Sequence, residues 1–132
     1  MAQPAVLAEI TPYEMIGGED AVRRIVNRFY DIMDSDPGAA GIRAMHAADL
    51  TAMRERLFEF LSGWLGGPPL YFERLGHKCV VSAHKPFAIG EKEREEWLTC
   101  MRRAMEDEGV PEDLRKLLER PFRRIADAFR NR

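Results

Sequence analysis

His84 stands two residues before Pro86, in the run Gly76-His77-Lys78-Cys79-Val80-Val81-Ser82-Ala83-His84-Lys85-Pro86-Phe87. Imidazole is the commonest side-chain metal ligand, and its second ring nitrogen is usually aimed by a carbonyl or carboxylate. A proline ends a helix near the residue before it, because its ring blocks the α conformation there and its nitrogen donates nothing. The spacing predicts His84 at the C-terminal end of a short helix, beside carbonyls that the helix end leaves unpaired. Zinc would ask for several Cys, His or carboxylate ligands at short spacing, and the sequence has no such cluster. A lone histidine among apolar and aromatic neighbours suits axial ligation of a haem iron. Taken by itself, such a residue is more often a surface or core histidine, so both readings stand at this point.

Other residues could share that chemistry. Tyr30 borders an apolar stripe, four residues after Val26; its ring can be buried, but its hydroxyl then needs a partner. It reads equally as a core tyrosine with a backbone acceptor. His46 lies in a connector, where a histidine is ordinarily solvated. Arg56 flanks an aromatic-rich stripe and could reach an anionic group from the rim, although a solvated arginine is the commoner outcome. Phe87 and Ile89 form an apolar pair just beyond Pro86.

The elements that must position these groups read as helices. Thr11-Pro12-Tyr13-Glu14 has the pattern of a capped helix start, with Pro12 in the first helical position, and Gly17-Gly18 stops that helix at once. From Glu19 to about Asp34, Val22, Ile25, Val26, Phe29 and Met33 recur at helical spacing. Asp34 to Gly38 ends that helix, and Ala39 to Ala48 is a connector with one helical turn. Asp49 can cap the next helix, which runs to about Leu65. Met53, Leu57, Phe60, Leu61 and Trp64 make its apolar face, opposite Arg54, Glu55 and Glu59. That face suits either a core contact or the wall of an apolar cofactor cavity. Gly66-Gly67-Pro68-Pro69 stops the helix, and a short helical stretch is expected over Glu73 to Leu75. Gly76-His77 is read as a turn and Lys78 to Ala83 as a loop, since Val80-Val81 has no second strand to pair with. Glu91 to about Glu108 is a long amphipathic helix with Trp97, Met101, Ala104 and Met105 on one face. Gly109 should cap it. Pro111 should open a last helix that Pro121 kinks or splits.

Composition bounds the function. A chain of 132 residues that is 45% hydrophobic fits one domain with a single core. The net charge of -2, with both signs dispersed, argues against a nucleic-acid partner. Two cysteines give no disulfide framework and point to a reducing cytoplasm. No apolar run approaches a membrane span, and residues 1–10 read as a flexible arm rather than a signal peptide. The domain is expected over 11–132.

The chain resembles the truncated haemoglobins, in particular their second group, from about Tyr13 to Phe129. The marks are Gly17-Gly18, the run Phe58-Glu59-Phe60-Leu61-Ser62-Gly63-Trp64-Leu65-Gly66-Gly67-Pro68-Pro69-Leu70-Tyr71, then Gly76-His77, His84-Lys85-Pro86-Phe87 and Trp97-Leu98-Thr99-Cys100-Met101. Any one of these is weak; the ordered series is specific. The resemblance implies an all-α, truncated globin-like two-over-two helical sandwich enclosing a haem, with His84 as the iron ligand. It places Tyr30, His46 and Trp97 on the ligand side, with Met53 and Leu57 beneath them. Phe60, Leu61, Trp64, Met101, Phe87 and Ile89 would complete the wall, and Arg56 would serve at its rim. Members often have an arginine immediately before the iron-ligating histidine, paired with a haem propionate. Here that residue is Ala83, and Arg54, Arg56 and Lys85 are the cations that could replace it. With no Cys-x-x-Cys-His motif, the implied cofactor is haem b held non-covalently.

Three candidate donors around the ligand would slow the release of one that gains negative charge on binding. The implied function is binding of dioxygen, carbon monoxide or nitric oxide for oxygen, nitric oxide or peroxide redox chemistry rather than bulk storage. Two alternatives stay open: a peroxidase-like or nitric oxide dioxygenase enzyme, and a haem-free globin-like interaction or sensor module. The sequence has no flavin or nicotinamide motif, so a reductase would be a separate partner. The chain is expected to be a monomer or homodimer.

Overall fold

A computed structural model of the chain describes residues 10–75 and 83–132, and every regular element among them is helical. In order these are α1 (Pro12–Ile16), α2 (Glu19–Ser35), a 3-10 turn (Pro37–Ala39), α3 (Ala40–Ala44), α4 (Thr51–Trp64), α5 (Leu70–Leu75), α6 (Glu91–Asp107) and α7 (Glu112–Phe129). Of the arm expected over residues 1–10, all but Ile10 lie outside the described residues, as do Gly76-His77 and the loop before Ala83. No described helix is long and apolar enough to cross a membrane.

The helices form two layers, α2 with α4 and α6 with α7, with α2 packed on α6 between them. The core sits at that crossing. Val22, Ile25, Val26, Phe29, Ile32 and Met33 of α2 are buried against Cys100, Met101, Ala104 and Met105 of α6. Burying each large apolar side chain stabilises the fold by about 1.5–3 kcal/mol. α1 lies across the end of α4, where the Tyr13 N–H donates to the Leu65 carbonyl at 2.9 Å. A Cβ on Gly67 would sit 2.5 Å from the Tyr13 ring, and Gly66 has φ +97°, so this glycine pair is needed for the close approach and for the turn.

Several local expectations hold and several shift. Thr11 accepts from the Glu14 N–H. The Asp49 carboxylate accepts from the Thr51 N–H at 2.9 Å, but the cap position of α4 is Leu50, one residue on. α5 begins at Leu70 rather than Glu73, because Pro68 and Pro69 pre-set its first turn. Pro111 precedes α7 as its cap instead of opening it. Pro121 neither ends nor splits α7. Leu114, Leu118, Phe122 and Ala126 are buried on both sides of it, and the carbonyl it leaves unpaired belongs to exposed Leu117. Glu59, assigned to the solvent face of α4, is only 8% exposed and pairs with Arg74 at 2.9 Å.

Candidate functional site

Three aromatic rings meet where α2 packs on α6. Phe29 is fully buried, with ring centroids 4.9 Å from Tyr30 and 5.5 Å from Trp97, both edge-on. The helical period puts Phe29 in the buried stripe and Tyr30 at its margin, so the phenol lies along the core with its hydroxyl at the edge. Burial pushes the Tyr30 phenol well above its ordinary range, with only the Arg54 guanidinium opposing, so its hydroxyl keeps its proton and can donate. The Trp97 indole can only donate. Neither group finds a hydrogen-bond acceptor among the described residues, and no fully buried side-chain nitrogen or oxygen there lacks a partner. Both donor tips therefore open onto accessible space.

His46 follows α3, with its ring 5.8 Å from Tyr30. Its Nδ1 lies 2.7 Å from the Ile42 carbonyl. A carbonyl only accepts, so Nδ1 carries the proton. Burial pulls the imidazole below its ordinary value; the Ile42 hydrogen bond opposes, and charges on Arg43 and His84 add to the lowering. His46 is thus neutral at pH 7, with a bare Nε2. The sequence reading counted His46 as a donor; the geometry makes its outward nitrogen an acceptor.

Glu96, immediately before Trp97, holds this corner. Its buried carboxylate accepts from the Ile42 N–H at 3.0 Å, and Lys92 approaches to 3.8 Å. A Cβ on Gly41 would sit 2.9 Å from the same carboxylate. In the sequence Glu96 is one member of the acidic run Glu91, Glu93, Glu95 and Glu96, which reads as a solvated face. Nothing in that run singles it out.

Along α4, Met53, Leu57, Phe60 and Trp64 are half-buried and pack on the core from its edge, while Leu61 is sealed within it. This apolar stripe is wider than the core covers. Trp64 stacks on Phe122 of α7 at 4.6 Å, Trp97 reaches the same ring at 5.9 Å, and Phe60 meets Tyr71 at 5.9 Å. Met101 is only 1% exposed. Arg54 is occupied, donating to the Asn27 carbonyl and to Asp31, each at 2.8 Å. Arg56 and Lys85 are exposed.

Ala83 is helical and His84, Lys85 and Pro86 form a turn, in line with a helix end before Pro86. The half-buried His84 ring lies parallel to Phe129 at 4.1 Å, with 5° between planes. Ile89 is half-buried and Phe87 is 40% exposed. The structure thus sets Tyr30 and Trp97 against Phe29 with His46 beside Tyr30, runs the α4 stripe along the edge of the core, and carries His84 on a separate segment. Phe122, Phe129, Glu96 and Asn131, which bears on the His84 segment, were not among the residues singled out from the sequence. Among the described residues no cluster of three His, Cys, Asp or Glu could hold a metal ion.

A profile of the bacterial-like globins matches residues 11–131. The group 2 truncated hemoglobin YjbI of Bacillus subtilis is 36% identical over 107 residues, which cover 81% of this chain and 78% of the relative. The chain belongs to the group II truncated haemoglobins. The solved group II 2-on-2 hemoglobin of Agrobacterium tumefaciens superposes with a TM-score of 0.88 at 43% identity, covering 92% of this chain and 95% of that one. The cold-adapted truncated hemoglobin of Pseudoalteromonas haloplanktis TAC125 gives 0.88 at 41% identity, covering 93% and 99%.

Membership in the truncated haemoglobins implies a haem with its iron and binding of small diatomic ligands such as oxygen. The residues present fit that group. The half-covered stripe of α4 offers an apolar wall to a flat macrocycle. The His84 imidazole would serve for axial ligation, and two unspent donors, Tyr30 and Trp97, stand apart from it.

Proposed function

We propose that this truncated haemoglobin holds haem b non-covalently through His84 and binds dioxygen, carbon monoxide or nitric oxide for redox chemistry rather than bulk storage. The haem, when bound, supplies reversible ligation of diatomics and one-electron chemistry. The observation that carries the reading is the pair of unpartnered donors, the Tyr30 hydroxyl and the Trp97 indole N–H, both packed on Phe29. Donors held in a dry pocket strongly stabilise a ligand that gains negative charge, and they need no reorganisation to do so. Met53, Leu57, Phe60 and Trp64 exclude water from it. Leu61 and Met101 back the wall, Phe87 and Ile89 close the His84 side, and Arg56 or Lys85 meets the propionates in place of the arginine replaced by Ala83.

His46 favours a second reading, turnover of peroxide. Its neutral Nε2 would take a proton from hydrogen peroxide, as a general base must at neutral pH. Electrons for either reaction come from a separate reductase. The working unit is one domain over 11–132, cytoplasmic, as a monomer or homodimer.

Absorption spectra of the ferric, ferrous, carbon monoxide and oxygenated forms test the reading. A Soret band at one haem per chain is expected, together with a higher unfolding midpoint for the haem-loaded than the haem-free protein, because haem binds only the folded state. A purified chain that takes up no haem would be a haem-free module, and the proposal would fall. Peroxide consumption that His46→Phe leaves unchanged would remove the second reading alone.

A further inference from the structure

The stretch from His84 to Gly90 has a turn but no helix after Ala83, yet hydrogen bonds from the residues following α7 tie it down. The Asn131 side-chain amide donates to the Phe87 carbonyl at 2.7 Å and approaches the His84 carbonyl at 3.5 Å. Its carbonyl oxygen accepts from the Ile89 N–H at 2.9 Å. The Asn131 backbone N–H returns to the Ile89 carbonyl at 2.8 Å, joined by that of Arg132 at 3.1 Å. Two residues before Asn131, the Phe129 ring lies flat against the His84 imidazole. The last turn of α7 is itself fixed to the first turn of α6 by Asp127 and Arg94, 2.7 Å apart.

We propose that Asn131 and Phe129 are the positioning residues of His84. The Asn131 amide sets the path of the backbone that carries the histidine, and the Phe129 face sets the plane of its ring. This rests on the reading of His84 as the iron ligand. A primary amide is required because it must donate to Phe87 and accept from Ile89 at once. Aspartate keeps only the acceptor and leucine keeps neither. A parallel ring at 4.1 Å leaves the imidazole no room to rotate about its own side-chain bonds without losing that contact.

The test uses the full chain with haem, in four forms: wild type, Asn131→Leu, Asn131→Asp and Phe129→Leu. Hydrogen exchange of the Ile89 amide reads the clamp without reference to haem. The iron–histidine stretching band of the ferrous ligand-free protein reads the His84 geometry, and the C–O stretching band reads the opposite side. In Asn131→Leu, Ile89 exchange and haem loss to an acceptor protein should each quicken by about ten-fold. The iron–histidine band should shift or broaden while the C–O band stays in place. Asn131→Asp should protect Ile89 but still move the iron–histidine band, and Phe129→Leu should do the same. A merely structural role would lower the unfolding midpoint of these variants and leave the band where it was, which overturns the proposal. Unchanged Ile89 exchange in Asn131→Leu overturns the clamp. A wild-type chain with no Soret band sinks the His84 reading separately, and the exchange result still decides the clamp.

Discussion

Tyr30 and Trp97 sit on the two long helices α2 and α6, with Phe29 wholly buried between them. His84 sits on a segment with no helix after Ala83, half-buried, held by a ring contact and by hydrogen bonds in exposed positions. The first side is placed by apolar packing, where deleting a large core side chain costs about 2–5 kcal/mol. The second is placed by polar contacts with a net worth of about 0.5–1.5 kcal/mol each. On the packed side, trimming a polar tip should leave geometry alone and change only what the ligand feels. On the bonded side, losing one polar group should change geometry. His46 falls between the two: it lies outside the helices, yet Ile42 and the buried carboxylate of Glu96 anchor it.

The sharpest way to break this comparison is His84→Gly. Haem retention should be lost and partly restored by added imidazole. A histidine-type iron spectrum that survives the substitution would place the ligand elsewhere and leave the His84 segment with no special role.

Phe29→Ala tests the packed side. It should cost about 3–5 kcal/mol in denaturant unfolding, because a ring with no exposure leaves a cavity. Phe87→Ala, at 40% exposure, should stay within about 0.5 kcal/mol of wild type. Equal costs would mean that burial does not separate the two regions.

Trp97→Phe keeps most of the bulk and removes one donor. Oxygen release should quicken by about ten-fold or somewhat more, as expected for a hydrogen bond to a charged acceptor. Tyr30→Phe should give the same or less, and a double mutant short of the sum would show that the donors act together. Carbon monoxide, which gains less charge, should respond less. Stopped-flow ligand replacement measures all three, and unaltered oxygen release in Trp97→Phe with haem still bound would make Trp97 a packing residue only.

The smallest effect is in pH. His46 is held below its ordinary value of 6.5, mainly by burial, so just below that value the unfolded chain binds more protons than the folded one. Stability should therefore fall as pH drops through 6.5 towards the lowered value, by no more than about 1.4 kcal/mol per pH unit. As pH falls through the lowered value itself, the folded His46 gains its second proton, its Nε2 becomes a donor, and oxygen release should slow. Subtracting the His46→Leu profile isolates both effects. Identical wild-type and variant profiles would show that burial does not perturb this imidazole.

The one-dimensional pattern determined the elements whose cause is local. Apolar residues at helical spacing marked α2, α4 and α6, Thr11-Pro12 and Asp49 marked helix starts, and the glycine pairs marked sharp turns. The ordered motifs carried the family, because they preserve the intervals between those elements. Whatever depended on which surfaces meet was decided only in three dimensions. Glu59 and Glu96 look like solvated helix charges until Arg74 and the Ile42 N–H are brought to them. Pro121 reads as a break until burial on both sides carries α7 through it. His46 is donor or acceptor according to which nitrogen faces the Ile42 carbonyl, and residue type does not say. Asn131 lies past the last helix between two arginines, forty-seven positions from His84; only the folded chain sets its amide against the segment that carries the histidine.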